Sequence, residues 1–278
     1  MKKFFNKVIV ITGAGSGMGR SYVQAFAKLG AHFALNDYDA DALKETVAEL
    51  KREHPQLKVI SSAFDVSHQD AMERFAEDVQ RELGGADVVI NNAGVEGLGQ
   101  PTWATPSQSY RRVMDINFFG VVHGTQAFLP QLLEKSEGAV VNISSIFGLI
   151  GPPNHSDYSA SKFAVRGFTE ALMVELLNTS ISVHLVHPGG IDTNIARAEQ
   201  SQAFSQKYLT TSPDDIVDYV IDAIRHKKAR IVYGNDALKT WLGSIFVPLK
   251  WLIRLVWRDM RDVIDQRNYP ARGNGKSH

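Results

Sequence analysis

Two hydrophobic rhythms alternate along this chain. Short apolar runs rich in β-branched residues recur at residues 7–12, 32–36, 58–64, 87–91, 139–143, 182–186 and 230–233. Continuous runs of this length are expected of strands buried on both faces. Between them the apolar positions take helical spacing, as in Tyr22, Val23, Phe26, Ala27 and Leu29. Ser67 with Asp70, Thr105 with Gln108, and Ser212 with Asp215 have the spacing of capping boxes and predict three helix starts. Two helices are expected to be long, at about residues 106–133 and 156–178. Strand and helix in strict alternation imply a parallel sheet covered on both faces, because each crossover must pass over the sheet. The expected fold class is α/β: a doubly wound, Rossmann-like three-layer sandwich with a seven-stranded parallel sheet, filling residues 1–234.

Residues 235–278 depart from that rhythm and read as a C-terminal amphipathic helical extension of the same domain. Its last part, residues 271–278, is expected to be disordered. Trp241, Leu242, Ile245 and Phe246 form one apolar helical face, and Pro248 interrupts or restarts the helix. Beyond it Lys250, Arg254 and Arg258 recur every fourth residue, opposite Trp251, Leu252, Leu255 and Val256. The expectation is a tail that buries its aromatics in protein contacts and shapes a hydrophobic pocket. The alternative is peripheral membrane contact through an interfacial helix.

Composition narrows the function. With 278 residues and a formal net charge of zero, the chain is long enough for one sizeable core, and nothing points to nucleic acid as a partner. The chain contains no cysteine, which excludes disulfides, thiol catalysis and cysteine-held metal. His123, His155 and His187 lack metal-ligand spacing, so no metal is expected. Neither a signal-peptide pattern nor an apolar run long enough to span a bilayer is present, and the expected location is cytoplasmic.

The first strand runs directly into a glycine-rich turn, TGAGSGMG at residues 12–19, that opens a helix. Glycines let backbone amides approach a pyrophosphate, and a helix N-terminus adds partial positive charge. Asp37, at the end of the second strand, can accept hydrogen bonds from an adenosine ribose and would repel a 2′-phosphate; its other reading is a helix cap. NAD is therefore favoured over NADP, with Arg20 as the one nearby cation that could reach a phosphate.

Tyr158 and Lys162 lie four residues apart, on one face of a helix. A neighbouring ammonium is expected to bring a phenol pKa down towards working pH. Ser145 stands upstream, after an apolar strand. With these residues in place, the chain resembles the classical short-chain dehydrogenase/reductase family over about residues 7–234. Residues 12–19 resemble its TGxxxGxG turn, Asp65 and Val66 its adenine-contacting pair, and Asn91, Asn92, Ala93 and Gly94 its NNAG motif. Asn117, Ser145, Tyr158 and Lys162 fall on its catalytic tetrad, and Ser145 rather than Ser144 has the family spacing. Pro188 and Gly189, with Ile191 and Thr193, resemble its nicotinamide-holding loop.

That resemblance implies an oxidoreductase interconverting a secondary alcohol and a ketone by hydride transfer. Tyr158 would be the acid/base, Lys162 would tune it and bind nicotinamide ribose, Ser145 would bind the substrate oxygen, and Asn117 would hold a water behind Lys162. Its implied cofactor residues are Gly13, Ser16, Gly17, Met18, Gly19, Asp37, Asp65, Val66, Asn92, Tyr158, Lys162, Pro188, Ile191 and Thr193. Substrate-binding residues would be Ser145 and Tyr158, with a mostly apolar lining drawn from Val95, Glu96, Phe147, Ile150 and residues 195–204. The family also assembles through its two long helices, implying a homodimer or homotetramer. The competing classes are a dinucleotide-binding regulator without turnover and a membrane-associated enzyme acting on a lipophilic alcohol.

Overall fold

β-branched residues and leucines supply seven strands that fall on the seven expected runs: β1 (Val8–Thr12), β2 (His32–Asp37), β3 (Val59–Ala63), β4 (Val88–Asn91), β5 (Gly138–Ile143), β6 (Ile181–Pro188) and β7 (Arg230–Tyr233). The computed structural model describes residues 1–193 and 202–269. Residues 195–201 of the expected substrate lining, and the terminus 271–278 expected to be disordered, lie outside those described. The strands form one parallel sheet in the order β3-β2-β1-β4-β5-β6-β7.

Alternation along β1 shows how both faces are filled. Ile9 and Ile11 join the core under α1 (Gly17–Lys28) and α8 (Pro213–Arg225), with Phe26, Phe33, Ile216 and Val220. Val8 and Val10 point the other way, among Met72, Phe75, Phe128 and Leu172. Those four come from α3 (Gln69–Leu83), α5 (Gly120–Leu133) and α6 (Ser156–Glu175). Phe26, Phe33 and Phe128 are fully buried. Each such side chain contributes roughly 1.5–3 kcal/mol of burial free energy.

Helix starts depart from expectation at two places, for local reasons. Helix α3 begins at Gln69 with His68 in the cap position. Asp65 shapes that turn instead of Ser67, its Oδ1 accepting the Ser67 amide at 2.9 Å. Pro106 occupies the cap of α4 (Ser107–Met114), while the Thr105 hydroxyl donates back to the Gln100 and Pro101 carbonyls at 3.1 Å each. Short hydroxyl side chains readily make such competing bonds to nearby backbone. Ser212 does cap α8, accepting the Asp214 amide at 3.2 Å. The helix expected over residues 106–133 is divided into α4, a π-helical turn at Asp115–Phe119, and α5. After β7 the chain forms α9 (Ala237–Phe246) and α10 (Leu249–Met260), with Pro248 as the α10 cap.

The sheet order fixes where a ligand can sit. The chain runs outward from β1 to β3, then restarts beside β1 with β4 and runs the other way. Loops leaving β1 and β4 therefore diverge, and a crevice opens at their carboxyl ends.

Candidate active site

That crevice is a cleft of about 740 Å³, and it collects the candidate cofactor residues from five strand ends and from α6. All of them except Gly19 line it. Gly19 packs behind the turn, where an added Cβ would lie 1.8 Å from the Gly13 carbonyl oxygen. Gly13 has φ +68°, and an added Cβ there would come within 3.0 Å of Ala93. The N-terminal turn of α1 carries no acidic residue, and the Ser16 side chain does not cap it. Its amides and partial positive charge are left for a ligand at the cleft. A dinucleotide fits these features.

Asp37 ends β2 on the wall of the cleft. Its Oδ2 accepts the Gly15 amide at 2.7 Å and its Oδ1 the Asp39 amide at 2.9 Å. The alternative of Asp37 as the next helix's cap is not realised: Asp39 caps α2 (Ala40–Glu53), accepting from Asp41 and Ala42. Arg20, the cation that could favour a 2′-phosphate, is engaged by Glu49 through both Nε and Nη2.

Across the cleft, β4 and β1 are laced together. Thr12 Oγ1 accepts the amides of Asn92 and Ala93 at 3.0 and 3.1 Å, and Asn92 Nδ2 donates to the Thr12 and Gly13 carbonyls. Asn91 turns instead into the core, donating to Asn142 Oδ1 at 2.9 Å and Thr125 Oγ1 at 3.1 Å.

Of the four expected catalytic residues, three line the cleft and Asn117 lies fully buried behind it. Asn117 is in the π-helical turn, an arrangement frequent at functional positions. Its Oδ1 accepts the Val95 amide at 2.7 Å, and its Nδ2 donates to the Val95 carbonyl and to Ser161 Oγ. Ser161 in turn donates to the Tyr158 carbonyl at 2.7 Å. Both amide protons of Asn117 thus go to protein groups, linking the loop after β4 to α6.

Ser145 opens a 3-10 turn at Ile146–Gly148 and accepts the Phe147 amide at 3.1 Å. The Ser144 hydroxyl is tied to the backbone of α6, donating to the Lys162 carbonyl at 2.9 Å. Lys162 Nζ donates to the Ile143 carbonyl at 3.1 Å and lies 5.6 Å from the centre of the Tyr158 ring. The expected lowering of the phenol pKa by Lys162 is not what prevails here. Burial pushes Tyr158 up to about 12; a hydrogen bond with Ser145 opposes the rise and the Glu96 carboxylate adds to it. Burial also brings Lys162 down to about 8. Desolvation favours the neutral form of each group.

A second cavity, of about 900 Å³, meets the first at Ser145, Tyr158 and Gly189. Its walls are mostly apolar: Phe147 and Ile150 beside the serine, Phe204 opposite, and Leu242, Phe246, Leu252 and Val256 from α9 and α10. Val95 and Glu96, expected in the substrate lining, face the other cleft. His155 is buried, its Nδ1 donating to the Pro153 carbonyl at 2.8 Å and its ring against Phe147 and Phe204.

Two residues beside the site carry no signal in motif spacing. Asp157, 1% exposed, receives the Leu98 amide (3.1 Å), the Ser109 hydroxyl (2.6 Å) and the Tyr158 amide (2.8 Å). It ties the loop after β4 and the start of α4 to the residue that follows it, Tyr158. His187 is fully buried on β6 and donates from Nδ1 to the Ser145 carbonyl at 2.8 Å. An acid in a first helical turn is usually a dipole partner on the surface, so only burial distinguishes Asp157. Among the described residues no group of His, Cys, Asp and Glu could hold a metal ion.

Comparison with known proteins agrees with this geometry. The family model described as short chain dehydrogenase matches residues 7–203. The protein SadH of Mycobacterium tuberculosis is 39% identical over 249 residues, 85% of this chain and 89% of that protein. A short chain dehydrogenase/reductase from Burkholderia phymatum, solved in complex with NAD, superposes with a TM-score of 0.79 at 28% identity, covering 98% of this chain and 100% of that one. An alcohol dehydrogenase from Thermococcus sibiricus, complexed with 5-hydroxy-NADP, gives a TM-score of 0.71 at 25% identity over 81% of this chain and 93% of that one. The glycine turn, the residues gathered at the strand ends and these likenesses agree, and the chain belongs to the short-chain dehydrogenase/reductase family of oxidoreductases.

Proposed function

We propose that this protein is an NAD-dependent dehydrogenase/reductase that interconverts a secondary alcohol and a ketone bearing a bulky apolar substituent. The observation that carries this reading is the position of Ser145 and Tyr158 on the wall shared by a polar cleft and an apolar cavity. Bound nicotinamide would supply the hydride acceptor or donor. Tyr158 gives its phenol proton to the substrate oxygen in reduction and takes one as phenolate in oxidation. With its pKa pushed up to about 12, the protein rests with Tyr158 as the donor at neutral pH. Oxidation therefore speeds up as pH rises, and reduction does not. Ser145 hydrogen-bonds the substrate oxygen where charge develops. Lys162 holds the nicotinamide ribose, and Asn117 positions the Val95 loop and, through Ser161, the backbone of Tyr158.

The preference for NAD is supported by Asp37 at the end of β2 and by the engagement of Arg20 with Glu49. Assembly into a homodimer or homotetramer is supported by exposed apolar side chains on the two long helical stretches, among them Phe119, Leu133, Phe163 and Val174. Light scattering that finds only monomer at micromolar concentration removes the assembly claim.

The functional test is turnover with NAD and a panel of secondary alcohols of growing apolar bulk, run on the natural chain and on Tyr158→Phe. The catalytic constant should fall in the variant by at least about 10²–10⁴-fold while cofactor binding persists. Comparable turnover by both proteins would take the proton transfer away from Tyr158. Cofactor binding without turnover of any alcohol or ketone would favour a regulator.

A further inference from the structure

Helices α9 and α10 are only half used by the fold. On α10, Leu252, Val256 and Met260 turn inward to the apolar cavity. Lys250, Arg254 and Arg258 form a basic stripe, since positions four apart share a helical face; Lys250 and Arg254 face away from the cavity and Arg258 reaches its rim. Exposed Ile253 and Trp257 run along one flank of that stripe, and exposed Trp251 and Leu255 along the other. On α9, Leu238, Leu242, Ile245 and Phe246 are exposed as well. Nine of the nineteen large hydrophobic side chains exposed among the described residues lie between Leu238 and Trp257, with Phe246 at 75% and Leu249 at 72%. Patches of this kind on a folded protein mark contact surfaces.

We propose that this face docks on a membrane surface bearing anionic lipid. Residues 237–258 contain Lys239, Lys250, Arg254 and Arg258 and no acidic residue, in a chain whose net charge is zero. Basic side chains flanked by tryptophans suit a headgroup layer, where ammonium and guanidinium meet phosphate and indoles sit at the acyl boundary. A second copy of this chain is disfavoured as the occupant, because a two-fold contact would set the basic stripe against its own like charges. No helix among the described residues is long and apolar enough to cross a membrane, so the contact is peripheral.

The face is also the rim of the cavity. Leu238, Leu242, Phe246 and Leu255 are exposed and at the same time line the space that reaches Ser145 and Tyr158. Docking would set this opening against lipid, so that an apolar alcohol or ketone enters without crossing water. This last step rests on the proposed function; the docking itself does not.

The test is co-sedimentation of the full chain with phosphatidylcholine vesicles, with and without phosphatidylglycerol, over a series of salt concentrations. Binding should require the anionic lipid and weaken with salt. Lys250→Glu with Arg254→Glu should lower the bound fraction by at least about tenfold. Trp251→Ala with Ile253→Ala should also weaken it, and both variants should keep turnover of a water-soluble alcohol. Wild-type protein that ignores the vesicles, or charge-reversed protein that binds like wild type, overturns the proposal. So does light scattering in which either variant splits a dimer while vesicle binding is absent, since a second copy is then the occupant. Vesicle binding with no turnover of any alcohol would leave the docking standing and remove the enzymatic reading.

Discussion

Three donors converge on the Asp157 carboxylate, and no water is needed to account for any of those bonds. Exchanging one carboxylate oxygen for an amide nitrogen would point a donor at a donor. Asp157→Asn should therefore cost roughly 1–3 kcal/mol of stability, the usual range for a buried polar group left unpaired. Urea denaturation with an unchanged midpoint would contradict this. Asp37 is a second residue whose charge decides something. Replacing it with serine keeps a hydrogen-bonding group and removes the repulsion of a 2′-phosphate, so the ratio of kcat/KM for NAD over NADP should narrow or reverse. Equal use of both cofactors by the natural chain would mean that another cation overrides Asp37.

At the scale of elements, the C-terminal helices and the strand-end loops divide the site between them. The cleft holding the glycine turn has no wall from α9 or α10, whereas the apolar cavity is walled by both. Truncation after Asn235 should therefore raise KM for bulky apolar substrates and leave NAD affinity within error. Loss of contact to even two methylenes corresponds to about tenfold in binding, at ~0.8 kcal/mol each. An unchanged KM in the folded, truncated protein, with circular dichroism to verify the fold, would show that the helices do not form the pocket. The π-helical turn plays a comparable part within the longer helix: it divides α4 from α5 at Asn117, where the side chain must reach the Val95 backbone.

For the whole molecule, the central sheet carries two buried histidines on β6. Burial lowers both His184 and His187 to about 4, against hydrogen bonds to the carbonyls of Lys228 and Ser145 that favour the charged form. Between about pH 6.5 and 4 the unfolded chain binds protons that these folded sites refuse, so stability is full above that window and falls on acidification through it. A tenfold weaker hold on a proton in the folded chain corresponds to about 1.4 kcal/mol. The urea midpoint should drop markedly between about pH 7 and pH 4.5, and His187→Asn should flatten the dependence. A midpoint independent of pH in both proteins would contradict the assignment.

The sequence by itself determined the sheet, because strands buried on both faces are largely apolar, and the runs of the five inner strands show that without any partner in view, while the edge strands β3 and β7 are only partly buried. The glycine turn after the first strand and the order of Asn117, Ser145, Tyr158 and Lys162 were equally legible, since backbone approach to a phosphate needs glycine and those side chains recur at family spacing. Helix starts at Ser67 and Thr105 were misread because a nearby carboxylate and nearby carbonyls compete for the same groups, a choice made by turn geometry. Burial was equally beyond reach of the one-dimensional pattern. Tyr158 and Lys162 look like a mutually stabilised charge pair on a helix face, and only the surrounding fold desolvates them, keeping the phenol protonated and bringing the ammonium down to about 8. Asp157 looks like a surface acid until Leu98 and Ser109 close over it, contacts 59 and 48 residues away in the chain. The tail is the last case. Its amphipathic pattern was legible, but which side turns inward was settled only when Leu252, Val256 and Met260 met the cavity and left Lys250, Arg254 and exposed Trp251 outside.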